Sequence, residues 1–167
     1  MAGAGEVSRV AWCALAAVAA LPVAGARAGA QDRPLTRPEL RVDATSAHVS
    51  RVEGSLGAVV PVGTYVRLAL AAGGGVARAS GESRGAARAD VIARFELDPL
   101  RQLARSAYLG GGVSYLATER ERGRAYLALV AGWELKTRAG WVPTIEAGLG
   151  GGARIGIALR RGMVSWR

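Results

Sequence analysis

From about residue 40 onward, apolar side chains recur at every second position, a period that strands satisfy and helices do not. The clearest stretch is 141–160. Its odd positions include Trp141, Pro143, Ile145, Ala147, Leu149, Ala153, Ile155, Ile157 and Leu159, whereas its even positions include Thr144, Glu146, Arg154 and Arg160 among glycines. Residues 125–136 sort in the same way, with Leu127, Leu129, Ala131 and Trp133 opposing Tyr126, Glu134 and Lys136. In 87–97, Val91, Ala93, Phe95 and Leu97 oppose Arg88, Asp90, Arg94 and Glu96; in 65–78, Val66, Leu68, Leu70 and Val76 oppose Tyr65 and Arg67.

This pattern yields six strands, roughly 47–60, 64–78, 87–97, 107–118, 124–136 and 141–159. The connections between them, at 61–64, 80–85, 98–105, 119–123 and 137–140, are rich in Gly, Pro, Ser or charge. Eight strands result instead if residues 40–48 form a separate first strand and 150–152 turn the chain into a last strand ending near Trp166. The alternation runs through 150–152 unbroken, which counts against eight, and the number stays at six to eight. A weak repeat underlies the order: Gly73-Gly74-Gly75 recurs as Gly110-Gly111-Gly112 and as Gly150-Gly151-Gly152, so the repeating unit is a hairpin.

Residues 1–30 read as a cleavable signal peptide helix. Arg9 precedes an apolar Ala/Val-rich run too short to span a membrane comfortably, and Ala28-Gly29-Ala30 supplies the small residues that cleavage needs. Cleavage there removes Glu6, Arg9 and Arg27, lowering the net charge from +9 to +8. It also removes Cys13, the one cysteine, and with it disulfides and thiolate chemistry. His48 is the only histidine, which leaves no basis for a zinc or copper site, and no cofactor is expected. With 50% hydrophobic and 21% charged residues, the rest is an ordinary folded chain. Residues 31–39 form a polar lead-in and 40–167 one β-domain.

A sheet with one apolar face can close in two senses, with that face as a core or facing lipid. Strands of this length match a tilted bilayer crossing. The polar face combines Arg51, Glu53, Arg67, Arg88, Asp90, Arg94, Glu96, Glu134, Glu146 and Arg154 with many glycines, the mix that a narrow lumen of paired charges requires. Phe95, Trp133 and Trp141 lie on the apolar face near connections at one end, where an interfacial aromatic girdle belongs. Open strand edges are not tolerated in lipid, so this reading demands closure. The expected fold is all-β, an antiparallel up-and-down β-barrel of six to eight strands.

With its leader, its Ala28-Gly29-Ala30 site, its cysteine-free β-domain and the near-terminal aromatic Trp166, the chain resembles the small outer-membrane β-barrel proteins of Gram-negative bacteria, of the OmpA, OmpX and OmpW kind. The resemblance implies the outer membrane as location, its lipid and the outer-membrane assembly machinery as partners, and a structural or surface-interaction role without catalysis. Arg167 follows Trp166, a departure from the terminal aromatic of such proteins. The alternative is a soluble periplasmic β-barrel or sandwich that binds a small apolar ligand.

Other chemistry finds little footing. The glycine triplets lack the Lys-Ser or Lys-Thr of a phosphate loop, and His48 beside Ser46, Ser50 and Asp43 lacks a nucleophile elbow. No catalytic or metal-binding residue is assigned. The inward Arg/Glu pairs serve as neutralisation, with a gated ion path as the sharper reading. Arg78, Arg84, Arg88, Arg120, Arg122 and Arg124 cluster near the 80–85 and 119–123 connections, a rim suited to lipopolysaccharide phosphates. No recognition helix accompanies the basic residues, so nucleic acid is not a partner.

Overall fold

Eight strands form, and each meets its chain neighbour through a hairpin: β1 (Arg37–Ser46), β2 (Ser50–Pro61), β3 (Val66–Ala79), β4 (Glu82–Glu96), β5 (Ser106–Thr118), β6 (Arg124–Glu134), β7 (Trp141–Leu149) and β8 (Ala153–Arg161). The structure is a computed structural model that describes residues 36–98, 106–135 and 140–161. Every pairing is antiparallel, and β8 returns to β1 with Leu40 opposite Leu159 and Ala44 opposite Ile155. The result is a closed up-and-down barrel in strand order, without a free edge.

Of the six to eight strands expected, eight form, and they differ from the six segments named above at two places. The segment 141–159 breaks at 150–152, where Gly151 (φ 76°) and Gly152 (φ 153°) turn the chain between β7 and β8. Left-handed backbone of this kind is open to glycine and costly for other residues. The first two glycine triplets lie inside β3 and β5, so the third is not their structural equivalent. At the other place, β1 precedes the segment drawn at 47–60, and it begins at Arg37, ahead of the Leu40 boundary. The last strand, β8, is described as far as Arg161, and the 80–85 connection contracts to Ser80-Gly81. With φ of 50° and 86°, these two residues make the tight hairpin turn whose twist matches its strands. The leader, the lead-in through residue 35 and Trp166 lie outside the described residues.

Closure gives the barrel two ends. At the near end β1 enters and β8 leaves, and the connections are 62–65, 97–105 and 135–140. At the far end they are 47–49, Ser80-Gly81, 119–123 and 150–152.

Side-chain direction alternates along each strand, so closure sorts residues into an outer wall and an interior. Glu39, Arg41, Asp43, Glu53, Arg88, Asp90, Arg94, Glu96, Glu134, Glu146, Arg154 and Arg160 are buried, while Leu40, Val42, Val52, Leu56, Val91, Leu129, Ile155 and Ile157 are exposed. This inverts the arrangement of a water-soluble domain. One interior sector is apolar, formed by Ile92, Tyr108, Ala128 and Val130. On β3 the small Ala69, Ala71 and Ala77 face inward and leave volume for longer side chains.

Candidate functional site

The interior charges form two connected groups along the barrel, one around Glu134 and a larger one around Glu146. Toward the near end, Arg67 from β3 lies 2.8 Å from Glu96 and 3.4 Å from Glu134, and Arg160 from β8 also pairs with Glu134. In the middle, Arg94 grips Glu39 with both terminal nitrogens, at 2.7 and 2.9 Å, and reaches Glu146 at 3.2 Å. Arg41 also pairs with Glu146, and its guanidinium lies 3.5 Å from Glu39 and 3.4 Å from Asp43. The Tyr108 hydroxyl donates to Glu146 at 2.5 Å, and the Arg94 guanidinium lies over the Tyr108 ring at 4.9 Å.

Toward the far end, Arg154 joins Asp43 (3.1 Å), Asp90 (3.2 Å) and Glu146 (3.1 Å). Arg88 donates through Nε to both oxygens of Asp90, at 2.9 and 3.0 Å. It also reaches Ser114 (3.2 Å), Thr45 (3.4 Å) and Glu53 (3.5 Å). Buried ions repay their desolvation only where geometry is good and partners are several. Here Glu146 alone receives three arginines and a phenol.

Of the ten charged residues that alternation assigns to the inner face, Arg51 and Arg67 are half-buried and the other eight are buried. Glu39, Arg41, Asp43 and Tyr108, in the Glu146 group, and Arg160, on Glu134, were not in that set. Glu39, Arg41 and Asp43 do alternate with Leu40, Val42 and Ala44 in the sequence, but placing the barrel's start at residue 40 set Glu39 in the lead-in. Asp43 is committed to Arg154 and Arg41 inside the barrel, whereas His48 is exposed in the 47–49 connection, so the two do not form a catalytic pair. No group of three or more metal-ligating side chains converges among the described residues.

The outer wall has the opposite character. Outward positions alternate from even numbers in β1 to β3 to odd numbers in β4 to β8, and their only charges are Arg78, where β3 ends, and Arg161, where β8 ends. Between them the wall is Val, Leu, Ile, Ala, Gly and aromatic, with Pro at two positions and Ser at strand ends. Phe95, Trp133 and Trp141 are exposed on this wall at the near end, joined there by Tyr65.

The arginine cluster divides. Arg88 belongs to the interior network, not to the rim. Arg84 is half-buried at the far mouth and lies 3.0 Å from Glu82, which also meets Arg120 at 2.9 Å. Arg78, Arg122 and Arg124 are exposed at the same far end.

No protein-family model matches the sequence, and no curated protein does. Among solved structures, the N-terminal β-barrel domain of Pseudomonas aeruginosa OprF is similar, with a TM-score of 0.45 and 14% identity over 74% of this chain and 96% of that chain.

Proposed function

We infer that the chain is a small outer-membrane β-barrel with a structural or surface-interaction role and no catalytic activity. One observation carries the reading: the outer wall holds no charge between Arg78 at one end and Arg161 at the other, while the interior holds more than a dozen. In water such a wall is a continuous apolar belt, far above the few hundred Å² that soluble monomers expose. In a bilayer the same wall is solvated by acyl chains. Turning those side chains inward brings no hydrophobic gain there, because lipid is as apolar as the side chains themselves. The interior is then free to be polar, provided that its charges pair, and closure satisfies the backbone.

Strands of nine to fifteen residues are long enough to cross at a tilt. An eight-stranded barrel leaves an interior that side chains fill, and the two charged groups, from Arg67 at the near end to Arg88 at the far end, occupy it, which supports a closed barrel over an open pore. A soluble carrier of an apolar ligand would need the reverse, a dry apolar cavity inside.

Fractionation of expressing cells, followed by gel electrophoresis of the membrane fraction with and without boiling, tests the reading. Recovery in the outer membrane with a band that shifts on boiling is expected. Recovery in the soluble periplasm, or a band indifferent to boiling, refutes it.

A further inference from the structure

The far rim carries arginines that the interior network does not use. Arg78 lies on the outward face of β3 two positions beyond Val76, where the apolar wall ends. Arg120 and Arg122 lie in the 119–123 connection, and Arg124 opens β6. The two neighbouring connections are tied together: the Glu119 N–H donates to the Gly85 carbonyl at 3.2 Å, and Glu82 bridges Arg84 and Arg120. Glu82 therefore neutralises part of the rim and positions Arg120. The side chains of Arg78, Arg122 and Arg124 make no ion pair or hydrogen bond among the described residues. Five arginines stand there against Glu82, Glu119 and Glu121, so the rim stays positive.

Two facts narrow the ligand. Guanidinium forks match phosphate oxygens in bidentate geometry. Arg78 also departs from the acyl-facing wall itself, while Arg122 and Arg124 sit at the mouth. A molecule able to engage all three has an apolar body along the wall and several phosphates at its head. The near end differs, its wall being fringed by Phe95, Trp133 and Trp141. Resting on the membrane reading above, we propose that Arg78, Arg122 and Arg124 bind the phosphates of a phosphate-rich lipid headgroup, of the lipopolysaccharide type, in the leaflet around the far end.

The test uses the full chain refolded in uncharged maltoside micelles, with folding scored by the boiling-dependent gel shift, then titrated with purified lipopolysaccharide. The combined R78Q, R122Q and R124Q variant is expected to bind at least about tenfold more weakly. R161Q, which removes the outward charge at the opposite end, is expected to bind like the wild type. Should the triple variant fail to give the gel shift, R122Q with R124Q, both outside the sheet's interior, serves in its place, with a loss of at least about threefold expected. Unchanged binding by the folded rim variant overturns the proposal, and so does an equal loss in R161Q. Equal competition by free pyrophosphate overturns the assignment to lipid. If the wild-type chain shows no gel shift, the membrane reading itself has failed, and this inference falls with it.

Discussion

Placing arginine at successive outward positions of β8 separates a lipid-facing wall from a water-facing one. Ala153, Ile155, Ile157 and Leu159 all face outward on this strand, and Ile155 and Ile157 are both 60% exposed. The nine residues of β8, at about 3.3 Å each and tilted by about 40°, rise roughly 23 Å. That is close to the apolar band of about 25 Å that such barrels present. Ile157 therefore sits near the bilayer midplane and Ala153 near an interface.

In lipid, arginine is expected to cost about 2–4 kcal/mol at position 157 and no more than about 1 kcal/mol at position 153, with 155 and 159 between them. In water, replacing a side chain this exposed changes stability by no more than about 0.5 kcal/mol anywhere along the strand. The assay is urea unfolding of the protein refolded into phosphatidylcholine vesicles, with the folded fraction read from the unboiled gel band. A flat series, or one whose largest cost falls at position 153, refutes the reasoning.

Three further outcomes follow from particular contacts. Arg94→Met removes a buried guanidinium that Glu39 holds at 2.7 and 2.9 Å; it should cost about 3–5 kcal/mol in the same urea assay, and adding Glu39→Gln should recover more than half of it. A Cβ at Gly132 would fall on the Tyr108 ring, so Gly132→Ala should cost about 1–3 kcal/mol, and less than about 1 kcal/mol in a Tyr108→Leu background, read by urea midpoints. At the exposed far rim, the Arg84 hydrogen bond and the Arg120 charge hold the Glu82 carboxyl below its ordinary 4.5. Its small stabilisation is thus complete above pH 4.5 and is lost as pH falls through the lowered value. NMR titration of this carboxyl should give a midpoint below 4.5 that rises in Arg84→Gln; a midpoint at or above 4.5 in the wild type refutes the pairing.

The two faces of each strand were legible because alternation is a property of the chain itself. Two of the seven turns, 47–49 and 150–152, were not, and register explains why. In the β1–β2 hairpin Ala44 pairs with Val52, and in β7–β8 Ala147 pairs with Ile155, residues of equal parity. Numbering then keeps its face through the turn, so periodicity carries no mark at 150–152. Only across Ser80-Gly81 does parity change, with Val76 opposite Gly85. The glycine triplets misled for a related reason: a glycine that a strand interior needs for close approach looks the same in sequence as one that a turn needs for positive φ.

Among the charges, Arg88, Asp90, Arg94 and Glu96 could be read from alternation within one strand. That Arg41 meets Glu146, 105 residues away, could not. Sequence by itself determined that this chain has an apolar and a charged face, because successive side chains point to opposite sides of a strand. Tertiary structure decided which face encloses the interior, how many strands enclose it, and which charges pair. Those depend on β8 closing against β1 and on the register carried around the ring, which place Arg154 against both Asp43 and Asp90 from strands far apart in the chain.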